Sequence, residues 1–153
     1  MAIFVGGTGD ANKLEDYEEG SFSPGMTFGG GNTNMSLESM DGKYTKIGRH
    51  VFIHLRFRMT GKGDSTGELN FTGLPFAVSD IMSTTAVQGG FFLGFLSGHA
   101  SGIHEVAVYP WEDTSVFKVY KRANENSAPA VVQHSDIVST FDGRLACFYM
   151  TNA

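Results

Sequence analysis

The stretch from Arg49 to Met59 constrains the fold more than any other part of this chain. Val51, Ile53, Leu55, Phe57 and Met59 are apolar at every second position, while His50, His54, Arg56 and Arg58 take alternate positions and only Phe52 breaks the pattern. Side chains of a strand point to opposite faces with a period of two, so this spacing predicts a long strand with one buried and one largely polar face. Such a strand needs antiparallel neighbours to complete its ladder and a second layer over its apolar face.

Composition enters the argument through glycine and phenylalanine. Twenty glycines and thirteen phenylalanines stand against four prolines in 153 residues. Glycine clusters punctuate turns, and the aromatic and β-branched residues between them favour strands. The expected architecture is all-β: an antiparallel β-sandwich of the jelly-roll kind over residues 21–153, preceded by an extended N-terminal arm over residues 1–20. A chain of this length fits one domain.

The arm is read from its charge. Glu15, Asp16, Glu18 and Glu19 put four carboxylates in five residues, which repel one another and are costly to bury. Two readings stand open: a solvated leader, or an arm that docks on a partner's basic surface with Phe4 and Tyr17 as apolar anchors. The net charge of -5 argues against non-specific nucleic-acid binding, which needs a basic surface. No window approaches the ~18 consecutive apolar residues of a membrane span, and the N-terminus lacks the pattern of a signal peptide. Neither nucleic acid nor membrane is expected as a partner.

Further strands are expected at Met26–Phe28, Lys43–Ile47, Ile103–Tyr109, Val116–Lys121, Val131–Val132 and Leu145–Met150. Gly61 to Gly67 lacks the strand–turn–helix setting of a phosphate loop and reads as a hairpin turn, with Glu68–Thr72 pairing back. Gly90 to Leu96 is apolar on both alternations, so it is either covered on both faces or buried on assembly. Phe91, Phe92 and Phe95 are therefore candidate oligomer contacts. In the loop Tyr109 to Asp113, Trp111 either folds back over the core or joins Tyr109 in stacking on a sugar.

Chemistry is not expected. His50 and His54 lie about 13 Å apart at ~3.3 Å per strand residue, too far for one zinc. His99 and His104 straddle a glycine turn with no acid or cysteine at ligand spacing beside them. Ser97 does not match the Gly-x-Ser-x-Gly elbow, and the adjacent Glu112 and Asp113 would face opposite ways on a strand. Cys147, the single cysteine, reads as buried packing. No catalytic residue, cofactor or metal is expected.

Leu14 to Pro24, Gly42 to Gly48, Ser65 to Leu69 and Gly73 to Phe76 together resemble a module of virion surface proteins of tailed bacteriophages, found at the tips of tail fibres and spikes and in small stand-alone virion proteins. The resemblance covers about residues 14–76, with Gly20-Ser21-Phe22-Ser23-Pro24 where that family has Gly-Thr-Trp/Phe-Thr-Pro. It implies an antiparallel β-sandwich that assembles as a homotrimer on the virion surface and has no obligatory catalytic centre. Because only a score of residues precede the module, the expected role is a decoration or cement protein binding a major capsid or other virion protein. The alternative is a tail-fibre tip that binds a host-surface glycan.

Overall fold

The predicted long strand is β6, His50–Gly61, and its five alternating apolar residues are withdrawn from water while its other face is open. The computed structural model that contains it describes residues 3–4, 13–14, 16–79 and 89–152. Five antiparallel strands form one sheet in the order β3 (Tyr17–Phe22), β5 (Ser36–Ile47), β6, β12 (Ile137–Met150) and β8 (Gly89–His99). The facing sheet runs β4 (Gly25–Phe28), β7 (Leu69–Thr72), β10 (Val116–Arg122), β9 (Glu105–Trp111); the short β11 (Ala130–Val131) pairs with the second half of β10, next to the end of β7. The fold is the expected antiparallel β-sandwich. Among the described residues no helix is long and apolar enough to cross a membrane.

The core lies between the sheets, where alternation on both sides supplies it. Val51 to Met59 of β6 and Phe141, Leu145, Cys147 and Tyr149 of β12 meet Met26, Phe28, Leu69, Phe71, Phe117 and Val119 from the other layer. The Phe57 ring lies 4.8 Å from Phe71 across the layers and 4.9 Å from Phe141 beside it. Each such side chain contributes about 1.5–3 kcal/mol through burial.

Several elements differ from the expectations. Residues 1–20 are not a uniform arm: Ile3–Phe4 (β1) pairs antiparallel with Lys13–Leu14 (β2), and sheet pairing begins at Tyr17 opposite Ile47. The side chains of Phe4 and Glu15 lie outside the described residues. Gly61 to Gly67 is a crossover and not a hairpin, because β7 pairs with β4 and β10 in the opposite sheet. The place beside β6 is closed to this strand, because both edges of β6 are taken by β5 and β12, and Leu69 and Phe71 are buried from the opposite sheet. Pro110 and Trp111 end β9 instead of sitting in a loop; β9 is an edge strand, where proline's missing N–H leaves no ladder bond unmade.

β12 runs for 14 residues, well beyond the expected Leu145–Met150, and passes inward through Gly143. A Cβ there would lie 2.4 Å from the Phe57 ring, so the glycine makes room for the aromatic of the next strand. Gly143→Val is expected to destabilise the fold by about 1–3 kcal/mol, the range for overpacked cores, as measured by urea denaturation.

Cys147 is buried as expected, and desolvation pushes its thiol up to about 12. The unfolded thiol ionises near ~8.5, so above that pH the unfolded state releases a proton that the native state retains, and stability falls. Full stability from this group is present below ~8.5 and should be lower by about 2 kcal/mol at pH 10. The check is the difference in pH dependence of the urea midpoint between the native chain and Cys147→Ala, which removes that component.

Candidate functional site

The outer face of the long-strand sheet gathers residues from five strands into rows set by register. One row reads Glu19–Thr45–Phe52–Phe148–Gly90, the next Ser21–Lys43–His54–Ala146–Phe92, and the next Asp41–Arg56–Arg144–Phe95. Phe52, the exception to the polar alternation of β6, thus stands directly opposite Phe148, with ring centroids 6.4 Å apart. Phe52 is 46% exposed, Phe148 45%, Phe95 44% and Phe92 79%. Exposed apolar surface gathered in this way marks interaction sites more than isolated residues do.

A bulge explains why Gly90 to Leu96 is apolar on both alternations. Arg144 pairs with Phe95 but Leu145 pairs with Leu93, which leaves Gly94 as the extra residue of β8. Phe91, Leu93 and Leu96 consequently pack against the core, while Phe92 and Phe95 are both exposed on the other side. Of the three expected contact residues, Phe92 and Phe95 are exposed, while Phe91 is partly buried against the core.

Beside Phe92 the face sinks into a groove of about 410 Å³. Gly94 and Ala146 are among its lining residues, with Lys43, His54, Arg56 and Arg144 around them. Arg56 and Arg144 are direct cross-strand partners, a like-charge arrangement that is unfavourable in a ladder. Among the described residues no carboxylate lies within 4.0 Å of either guanidinium or of the Lys43 ammonium. Lys43 instead donates to the Ser21 hydroxyl at 2.6 Å, and the Arg144 guanidinium lies 5.6 Å from the Phe95 ring centroid. Asp41 also lines the groove, across from Arg56.

Three of the four acids singled out in the arm, Asp16, Glu18 and Glu19, have partners within the chain. Asp16 accepts from the Lys46 ammonium at 2.5 Å, Glu18 from the Tyr44 hydroxyl at 2.5 Å, and Glu19 from the Tyr17 hydroxyl at 2.7 Å. The hydrogen bond to Glu19 and that to Glu18 hold the Tyr17 and Tyr44 phenols above their usual range. On the opposite sheet, the Lys118 ammonium sits 3.9 Å from the Trp111 ring centroid and covers one face of it. Tyr109 packs edge-on against Tyr120 at 5.1 Å, so the two candidate stacking residues both have intramolecular neighbours. Among the described residues no group of three or more histidine, cysteine or acidic side chains is placed to hold a metal ion.

Sequence reading placed His54, Arg56 and Arg58 on one face but missed Lys43, Arg144, Phe52 and Phe148 as their neighbours. Three strands contribute these residues, and cross-strand register joins them. The interruption at Phe52 was the available signal.

Fold and site together define a β-sandwich that displays aromatic and cationic residues side by side on one outer sheet face. Among solved structures the fold is similar to the Dettilon tailspike protein, with a TM-score of 0.66 at 18% sequence identity; the match covers 89% of this chain and 24% of that one. The chain thus spans about a quarter of that protein's length. No protein-family model and no curated protein matches it.

Proposed function

We propose that this chain is a non-catalytic structural module of a tailed-bacteriophage particle, assembling as a homotrimer that decorates and stabilises the particle surface. The observation that carries the reading is the cross-strand pair Phe52 and Phe148, nearly half exposed at the centre of a sheet face, with Phe92 and Phe95 beside it. A contact between copies centred on that pair removes apolar area from water, at about 25 cal/mol per Å². The sequence resemblance over residues 14–76 and the fold shared with part of a tailspike support a virion setting, and the latter favours the tail over the capsid as its seat. Attachment to the particle is assigned to residues 1–15, since the acids from Asp16 onward already have partners in the sheet.

A Phe52→Glu chain is expected to be monomeric by light scattering at concentrations where the native chain is trimeric, with its circular dichroism unchanged. Three buried carboxylates replacing three rings would leave no favourable contact. A trimer that survives the substitution places the contact elsewhere. Removing residues 1–15 should leave the trimer intact and abolish its occupancy on particles reconstituted without the native protein; undiminished occupancy would refute the attachment role.

A further inference from the structure

We infer that the free edge of β8 pairs antiparallel with the same edge of a second copy over residues 89–93, continuing the long-strand sheet from one molecule into the next. The first reason is that, among the edges of the described residues, this one alone is left unguarded there. Exposed ladder edges recruit further strands unless they are short, charged, interrupted by proline or bulge, or covered. β3 carries Glu18 and Glu19, β9 carries Glu105 and Pro110, β4 spans 4 residues and β11 spans 2. β8 spans 11 residues without an acid, a lysine, an arginine or a proline, and among the described residues it pairs only with β12. Its bulge at Gly94 interrupts the second half, but Gly89 to Leu93 keeps continuous register with Tyr149 to Leu145. That stretch presents an uninterrupted row of outward backbone groups.

The second reason is that the stretch fits itself, which is why the occupant is another copy and not a foreign strand. A contact between identical molecules about a two-fold axis must be self-complementary. With the axis at Phe91, Phe92 of one copy stands opposite Gly90 of the other and Leu93 opposite Gly89, so large side chains meet positions that have none. The two Phe91 residues meet at the centre. Directly opposed residues share a face, and the register keeps Leu93 and Gly89 on the core side and Phe92 and Gly90 on the outer side. Phe92 is 79% exposed and has only Ala146 as a direct cross-strand neighbour. An aromatic laid across an edge glycine closes such a ladder, and here the incoming Phe92 also meets the Phe148 ring that overhangs Gly90. On a particle surface the contact would tie neighbouring copies side by side, a role that rests on the reading proposed above, whereas the pairing itself does not.

The test uses the full-length Phe52→Glu chain, from which the face contact is removed, and the native chain beside it. Hydrogen bonds between two edges that were solvated beforehand gain little net free energy, so pairing is expected at about tenfold higher concentration than trimer formation. There, sedimentation velocity should show the Phe52→Glu chain passing from monomer to dimer and the native chain from trimer to hexamer and beyond. Hydrogen exchange at the outward amides of residues 89–93 should slow at least tenfold as the larger species forms. Phe92→Lys, which places on this edge the residue that ordinarily guards one, should abolish both changes; the site is exposed enough to leave the circular dichroism unaltered. A Phe52→Glu chain that stays monomeric throughout, a dimer whose β8 amides exchange no more slowly, or a Phe92→Lys chain that still pairs overturns the assignment. A Phe52→Glu chain that remains trimeric refutes the face contact instead, and the same amides then decide: slowing with concentration supports edge pairing, and unchanged exchange overturns it.

Discussion

The ladder between β6 and β12 is the constraint on which the remaining structure depends. It pairs Met59 with Phe141 at one end and His50 with Met150 at the other without a register shift, so two long alternating strands keep their apolar residues in step. Slipping one strand by a single residue would send every one of its core side chains to the solvent face. The same register that stacks Phe57 beside Phe141 inside places Phe52 beside Phe148 and Arg56 beside Arg144 outside. Core and surface site are two faces of one pairing.

Much of the fold was readable because burial on one face leaves a period of two in the sequence. β6 shows that period without help from its neighbours, and β10 shows it almost as well. Where a second device intervened, the reading fell short. Gly143 and Asp142 hid the first half of β12, since a glycine facing inward looks like a turn until the ring that fills its place is known. The crossover after Gly61 looked like a hairpin because turn chemistry marks a change of direction, not the sheet in which the next strand will lie. The surface site was harder still. Arg56 was visible as a polar-face residue, but Arg144 lies far along the chain and only pairing brings the two together.

Charge is distributed with the opposite logic on the two flanks of the long-strand sheet. At the β3 edge the acids are answered locally: Lys46 turns to Asp16 with its ammonium 5.6 Å from the Phe76 ring centroid, and Tyr44 reaches Glu18. The exposed Tyr44–Glu18 contact contributes little stability by itself, whereas Lys46 is buried and would be an unpaired charge without Asp16. Lys46 neutralises Asp16 just before the edge strand, while the tyrosine hydroxyls give Glu18 and Glu19 a donor without changing their charge. Toward β12 the cations are left facing one another, and the unfavourable arrangement is held in place by the core beneath it.

The fit between Phe57 and Gly143 means that neither position has a preferred size of its own; what the interior specifies is their sum. A lineage that shrank the ring at 57 would open a hole that a methyl or isopropyl group at 143 could reoccupy from the adjoining strand. The two sites should therefore drift as a reciprocal pair, bulky with minute or middling with middling, and a chain-breaker by reputation would prove to be one half of a shared volume.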